Sequence, residues 1–144
     1  MKVLADPVDE IPAVLPPKIE LTFPTGIIGF PEHRRGEIFH LPDQLPFQWL
    51  RLHGPTVLHF VVIDPAGAVP DYAPELYDDD ARALGINGAE DALVFNIVTV
   101  RADNQATINL VGPLVINRGT GVGRQIVVAN HNQFDARHPL VTAS

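Results

Sequence analysis

Residues 92–117 read ALVFNIVTVRADNQATINLVGPLVIN and predict a β-hairpin that is followed by a further strand. Ala92–Arg101 and Ala106–Val111 are rich in Val, Ile, Leu and Thr, which favour strands. The Asp103-Asn104 pair between them is typical of a tight turn. Gly112-Pro113 then interrupts the pattern, which predicts a bend or bulge within one long strand.

The chain on either side repeats this pattern of short apolar runs separated by proline or glycine. Thr56–Ile63 is almost wholly apolar, which favours a central strand covered on both faces. The remaining candidate strands alternate apolar and polar residues or resume after a turn, and they are Ile19–Phe23, Glu37–Leu41, Phe47–Leu52, Leu114–Ile116 and Gln125–Val128.

Asp78–Leu84 differs, because it contains helix formers and begins with three aspartates. It predicts one helix of about two turns, capped by one of these aspartates and ended by Gly85. Together the elements predict a mostly β, single-domain, antiparallel β-barrel-like fold with one short helix.

The chain is expected to have three parts. Four prolines within residues 1–17 oppose regular structure, so this stretch is expected to be a flexible N-terminal arm. The β domain is expected to cover residues 18–140, with irregular structure from Asn130 onward. Residues 141–144 are expected to form a C-terminal tail.

The composition excludes several classes of function. The 144 residues contain no cysteine, which rules out disulfides and thiolate sites. A formal net charge of −7 disfavours direct binding of nucleic acid and favours encounter with a basic protein. The alternative interpretation is that the negative charge only keeps the protein soluble. No apolar run has the length of a signal peptide or a membrane helix, so a cytoplasmic protein is expected.

Residue types with catalytic chemistry are sparse or poorly spaced. The only serine is Ser144, and the six histidines show no HxH or HExxH spacing. Residues 119–123, GTGVG, precede a strand and not a helix, so they predict a turn and not a phosphate loop. The sequence therefore predicts a protein that is not an enzyme and needs no metal or cofactor. An acid–base enzyme using the acidic clusters remains the less favoured interpretation.

One segment combines acidic residues with tyrosines and is the candidate partner-binding site. Tyrosine is enriched at protein interfaces, and the carboxylates suit a basic partner. Solvated acids at a helix start would give the same composition. The candidate residues are Asp71, Tyr72, Glu75, Tyr77, Asp78, Asp79 and Asp80.

Trp49 supports an alternative function. It lies in an alternating strand and is interpreted either as a core residue, which is favoured, or as a stacking platform. The second interpretation predicts a β module that binds a small ligand or carbohydrate.

Seven motifs follow one another along residues 18–140. They are Phe23–Phe30 (FPTGIIGF), Pro46–Leu50 (PFQWL), Phe60–Pro65 with Asp71-Tyr72, Val94–Val100, Thr107–Asn117 (TINLVGPLVIN), Gly123–Val127 and Arg137–Leu140. In this order they resemble the motifs of the FliW family of flagellar assembly factors. Ile28 and Gly112 replace the family's usual proline and alanine, and neither change should alter the fold.

The resemblance implies a cytoplasmic protein, monomeric when free, that switches between two partners. One is CsrA, a dimeric translational repressor that binds messenger RNA, and the other is flagellin. When flagellin is secreted, the freed factor would capture CsrA and relieve repression of flagellin synthesis. The acidic cluster suits CsrA by sign, whereas the flagellin contact is expected to use exposed apolar or strand-edge surface.

Overall fold

The computed structural model describes residues 1–4 and 18–140. The predictions for residues 5–17 and 141–144 lie outside these ranges. The elements in chain order are β1 Lys18–Thr22, β2 Arg35–Phe39, β3 Phe47–His53, β4 Val57–Ile63, α1 Pro65–Ala68, α2 Asp78–Leu84, β5 Ala92–Val100, β6 Ala106–Ile108, β7 Leu114–Asn117, β8 Gly123–Gln125 and β9 His138–Leu140. Short 3₁₀ helices cover Pro42–Gln44, Ala89–Asp91 and His131–Gln133.

The strands form one sheet in the order β1-β2-β3-β4-β5-β6-β9, from which β7 and β8 branch at β5. Every ladder is antiparallel, which confirms the predicted mostly β class. The sheet is not closed, because β1 meets the residue before β8 only at an isolated parallel bridge, Thr22 to Val122. Barrel-like therefore describes the fold only loosely.

The strand β5 pairs with β6 and then with β7, as the opening stretch of sequence predicts. Val98 pairs with Ile108, and Phe95 pairs with Leu114. Phe95 and Val98 are three positions apart in the sequence, whereas their partners Leu114 and Ile108 are six positions apart. The extra residues form a bulge, so β6 and β7 act as one strand that the bulge interrupts. The Asn109 carboxamide oxygen holds this bulge by accepting hydrogen bonds from the backbone N–H groups of Val111 and Gly112.

Two apolar clusters lie on opposite sides of β5 and β7. Leu114 and Ile116 point into the cluster enclosed by β1 to β5, whereas Val115 points into the cluster beneath α2. The strand covered on both faces is therefore β7.

The prediction that the fourth strand is covered on both faces is wrong for most of its length. In β4 only Val62 and Ile63 are buried, and Val57 is 53% exposed. The reason lies in the pairing, since β4 contacts β5 only over Val61–Ile63.

Trp49 is half-buried on the face of β3 opposite Leu50 and Leu52, so its assignment to the core is wrong. Its indole N–H donates to the side-chain oxygen of Gln44 at 2.8 Å. The carbohydrate-stacking interpretation stays a prediction.

The helices differ from the prediction in their number and in their caps. The predicted helix α2 is confirmed, and Gly85 ends it in the left-handed conformation with φ of 69°. Its N-cap is Tyr77, without a side-chain hydrogen bond, so the aspartates lie in the first turn and do not cap it. The one-turn helix α1 was not predicted. Its sequence does contain helix-start signals, because Asp64 caps the helix and Pro65 is its first residue.

Residues 1–4 and the strand β9 both contact the rest of the domain. The N-terminal ammonium donates to the Leu76 carbonyl at 3.1 Å, and Val3 is buried beneath α2. Residues 1–4 are therefore tied to the domain. At the other end β9 pairs with β6, so the expectation of irregular structure is wrong for His138–Leu140.

Candidate functional site

The acidic surface comprises Asp71, Glu75, Tyr77, Asp78, Asp79 and Asp80. All are exposed except Asp80, whose side chain is 20% exposed. The apolar residues Ala81 and Leu84 anchor α2 on the cluster below, which turns its aspartates outward. Three carboxylates in the first turn are also favoured by the positive end of the helix dipole.

Tyr72, one of the candidate partner-binding residues, is buried and does not belong to the acidic surface. Its hydroxyl donates to the Leu110 carbonyl at 2.7 Å and accepts from the Asn96 side-chain amide at 3.3 Å. Its ring packs edge-on against Phe134. Burial raises the pKa of Tyr72 to about 12, against a smaller lowering by the Asn96 hydrogen bond. Tyr72 therefore acts as a structural residue.

Tyr72→Phe is expected to lower the free energy of unfolding by about 1–3 kcal/mol at neutral pH, since the buried Leu110 carbonyl loses its donor. Because the unfolded tyrosine ionises near pH 10 and the folded one near 12, wild-type stability is full below pH 10 and falls as the pH rises to 12. The variant should lack this fall. Urea unfolding across pH tests both effects.

Tyr77→Phe is the matched control for this prediction, since Tyr77 is 50% exposed and its hydroxyl has no hydrogen bond among the described residues. It should change the stability by less than about 0.5 kcal/mol. Equal effects of the two variants would contradict the structural role of Tyr72.

Ion pairs distinguish the aspartates of the acidic surface. Asp80 accepts from Arg124 of β8 at 3.0 Å, and Asp79 pairs with Arg82 one turn further along α2. Asp78 forms no salt bridge with any residue that the structure describes. Asp78 and Asp79 are thus the carboxylates of α2 most available to a partner, whereas Asp80 also holds the helix to the sheet.

A second surface is an open apolar groove of about 350 Å³. It lies where the β1–β2 loop, β4, β5, the bulge between β6 and β7, and the end of β8 converge. None of its lining residues is charged: they are Ile27, Ile28, Phe30, Phe60, Ile97, Asn109, Val111, Gly112, Gln125, Val127 and Ala136.

Side-chain hydrogen bonds and ring contacts fix the walls of this groove. The Gln125 side chain accepts from the Ile28 backbone N–H and donates to the Gly112 carbonyl, each at 3.0 Å. The Phe30 ring makes edge contacts with His33 and Phe60. Sequence analysis missed the groove, although its walls include the two positions, Ile28 and Gly112, noted as departures from the family pattern.

Charged and polar side chains on β2, β3 and β4 form a cluster in which they bond to one another. The Glu37 carboxylate accepts from Arg51 at 3.1 Å and pairs with His53, and Arg51 also donates to His59. Burial would raise the pKa of Glu37, but hydrogen bonds and charge from His53 and Arg51 outweigh it and lower the pKa. Arg51 further stacks over Phe39. The cluster links neighbouring strands.

Other chemistry-bearing motifs take structural positions. Within residues 1–4 and 18–140 no three His, Asp or Glu side chains are arranged to hold a metal ion. Residues 118–121 form the turn between β7 and β8, as predicted. In the same ranges, no helix has the length and apolar character required to cross a membrane.

Known proteins similar to this chain point to one family. The model of the family described as FliW protein matches residues 11–140. The flagellar assembly factor FliW of Natranaerobius thermophilus is 35% identical over 83% of this chain and 80% of its own length. That of Leptospira biflexa is 32% identical over 78% and 74%. A crystal structure of the flagellar assembly factor FliW matches 99% of both chains, with a TM-score of 0.74 and 28% identity.

The fold and its surfaces define a small β protein that carries an acidic helix at one place on its sheet and an apolar groove at a different place. The chain belongs to the FliW family.

Proposed function

We propose that this protein is a flagellar assembly factor that binds the translational repressor CsrA and, alternately, flagellin. Family membership across residues 11–140 is the observation that carries this proposal. The protein acts in the cytoplasm, by binding and without catalysis. Capture of CsrA by the flagellin-free protein relieves repression of flagellin synthesis.

The acidic surface is the proposed docking site for CsrA. An RNA-binding protein presents positive potential to phosphates, and exposed carboxylates in a chain of net charge −7 match that sign. The contact need not overlap the RNA site. If it lowers the affinity of CsrA for RNA by some factor, bound RNA must lower the affinity for this protein by the same factor.

Partner switching further requires that bound flagellin lower the affinity for CsrA. Size-exclusion chromatography of the purified chain with CsrA, with flagellin and with both tests the proposal. We expect a binary complex with either protein at micromolar concentration, and displacement of CsrA when flagellin is in excess. Separate elution from both partners would contradict the proposed function, and a stable three-protein complex would contradict the switch.

A further inference from the structure

Apolar side chains are exposed together at the groove. Among the described residues, nine large hydrophobic side chains are exposed, and three of them, Ile28, Phe30 and Val127, line this one groove. Ile28 is 61% and Val127 46% exposed, so the rim projects into solvent. A contiguous apolar patch rimmed in this way is typical of an interaction site, whereas single exposed apolar residues are ordinary.

The charge pattern defines the chemistry of the occupant. No lining residue is charged, although the chain as a whole carries −7. A charged group placed in the groove would lose water and gain no counter-charge, which is unfavourable. The polar lining groups, Asn109 and Gln125, already bond to backbone. The groove therefore matches uncharged, apolar side chains.

The shape favours a protein segment over a small molecule. A volume of about 350 Å³ lies at the lower end of the range for ligand pockets. A ligand within it would leave the outer parts of Ile28 and Val127 in water, whereas a protein laid across the groove would cover them. Removing the apolar surface of this rim from water favours binding.

The groove is also pre-organised. Gln125 ties the loop that carries Ile28 to the Gly112 bulge, and the rings of His33 and Phe60 hold Phe30. Walls that are fixed before binding lose little conformational entropy when the partner arrives.

The groove and the acidic surface lie on opposite faces of β8. Successive side chains of a strand point to opposite faces. Arg124 reaches Asp80 of α2, while its neighbour Gln125 reaches Ile28 and Gly112 at the groove. The two surfaces are therefore distinct, although they share this short strand.

We propose that the groove between Phe30 and Val127 is the docking site for an uncharged, apolar segment of a protein partner. This inference rests on the proposed function, in which that partner is flagellin. It assigns flagellin to the groove and leaves the acidic surface to CsrA.

Val127→Asp tests the assignment, with Val100→Asp as the matched control. Val100 is 58% exposed, is the same residue type and does not line the groove. Isothermal titration with purified flagellin should show at least tenfold weaker binding for Val127→Asp and a change below twofold for Val100→Asp. Circular dichroism and urea unfolding should confirm that both variants fold like wild type. CsrA should bind the Val127→Asp variant with the same affinity as it binds the wild-type protein.

The outcomes separate this inference from the proposed function. If wild type binds flagellin and Val127→Asp binds it equally well, the groove assignment is overturned while the function stands. If wild type does not bind flagellin, both fall. Self-association of the free chain that Val127→Asp abolishes, measured by light scattering, would assign the groove to a second copy and would also overturn the inference.

Discussion

Replacing both Asp78 and Asp79 by lysine is expected to slow association with CsrA about tenfold at low salt. Each Asp-to-Lys substitution makes the net charge more positive by two, so the two together change it from −7 to −3. Both side chains are exposed on the first turn of α2, where they contribute to the field that a basic partner meets. Stopped-flow measurements at several salt concentrations should show both the slower rate and a smaller salt dependence for the variant.

Asp80 is left unchanged in this variant because it bonds to Arg124 of β8. Reversing its charge would place a lysine beside that arginine and disturb the attachment of the helix, which would confuse docking with folding. Glu32→Lys combined with Asp43→Lys is the matched control, since both residues are exposed, lie outside the acidic surface and give the same change in net charge. An equal slowing by the control would show that net charge alone steers CsrA, and would remove the acidic surface from the interface.

The strands could be predicted because their information is local. Alternation of apolar and polar residues, with proline or glycine at the ends, placed β1 to β7 within a few residues. The bulge at Gly112-Pro113 was also predictable, because a glycine followed by a proline interrupts strand pairing. Pairing between strands that are far apart in the sequence is not local, so the pairings of β4 with β5 and of β6 with β9 could not be predicted.

Burial of individual residues was harder to predict, because it depends on which strand covers which. Thr56–Ile63 is almost wholly apolar, yet β5 covers only its last part. Tyr72 lies among acids in the sequence, and only the fold shows that its hydroxyl meets the Leu110 carbonyl in the interior. The groove assembles side chains from strands and loops that are far apart in the sequence, such as Ile28, Phe60 and Val127, and no single stretch of sequence reveals it.

Gly26→Ala is expected to lower the free energy of unfolding by at least about 3 kcal/mol, because two costs coincide at this glycine. Gly26 has a φ of 68°, which costs other residues about 1–2 kcal/mol. A β-carbon there would also overlap the Phe30 carbonyl oxygen and lie 2.7 Å from the Pro31 α-carbon. Urea unfolding measures the loss, and flagellin affinity should fall with it, since the displaced loop forms a wall of the groove.

Two further glycine variants separate these costs. Gly29 has a φ of 90° with open space around it, so Gly29→Ala should show the conformational cost alone, about 1–2 kcal/mol. Gly67 has open space and an ordinary φ within α1, so Gly67→Ala should be neutral or stabilising by up to about 1 kcal/mol. If Gly26→Ala cost no more than Gly29→Ala, the backbone would have moved to relieve the overlap. The close packing of Gly26 against Phe30 and Pro31 would then not be what fixes this wall of the groove.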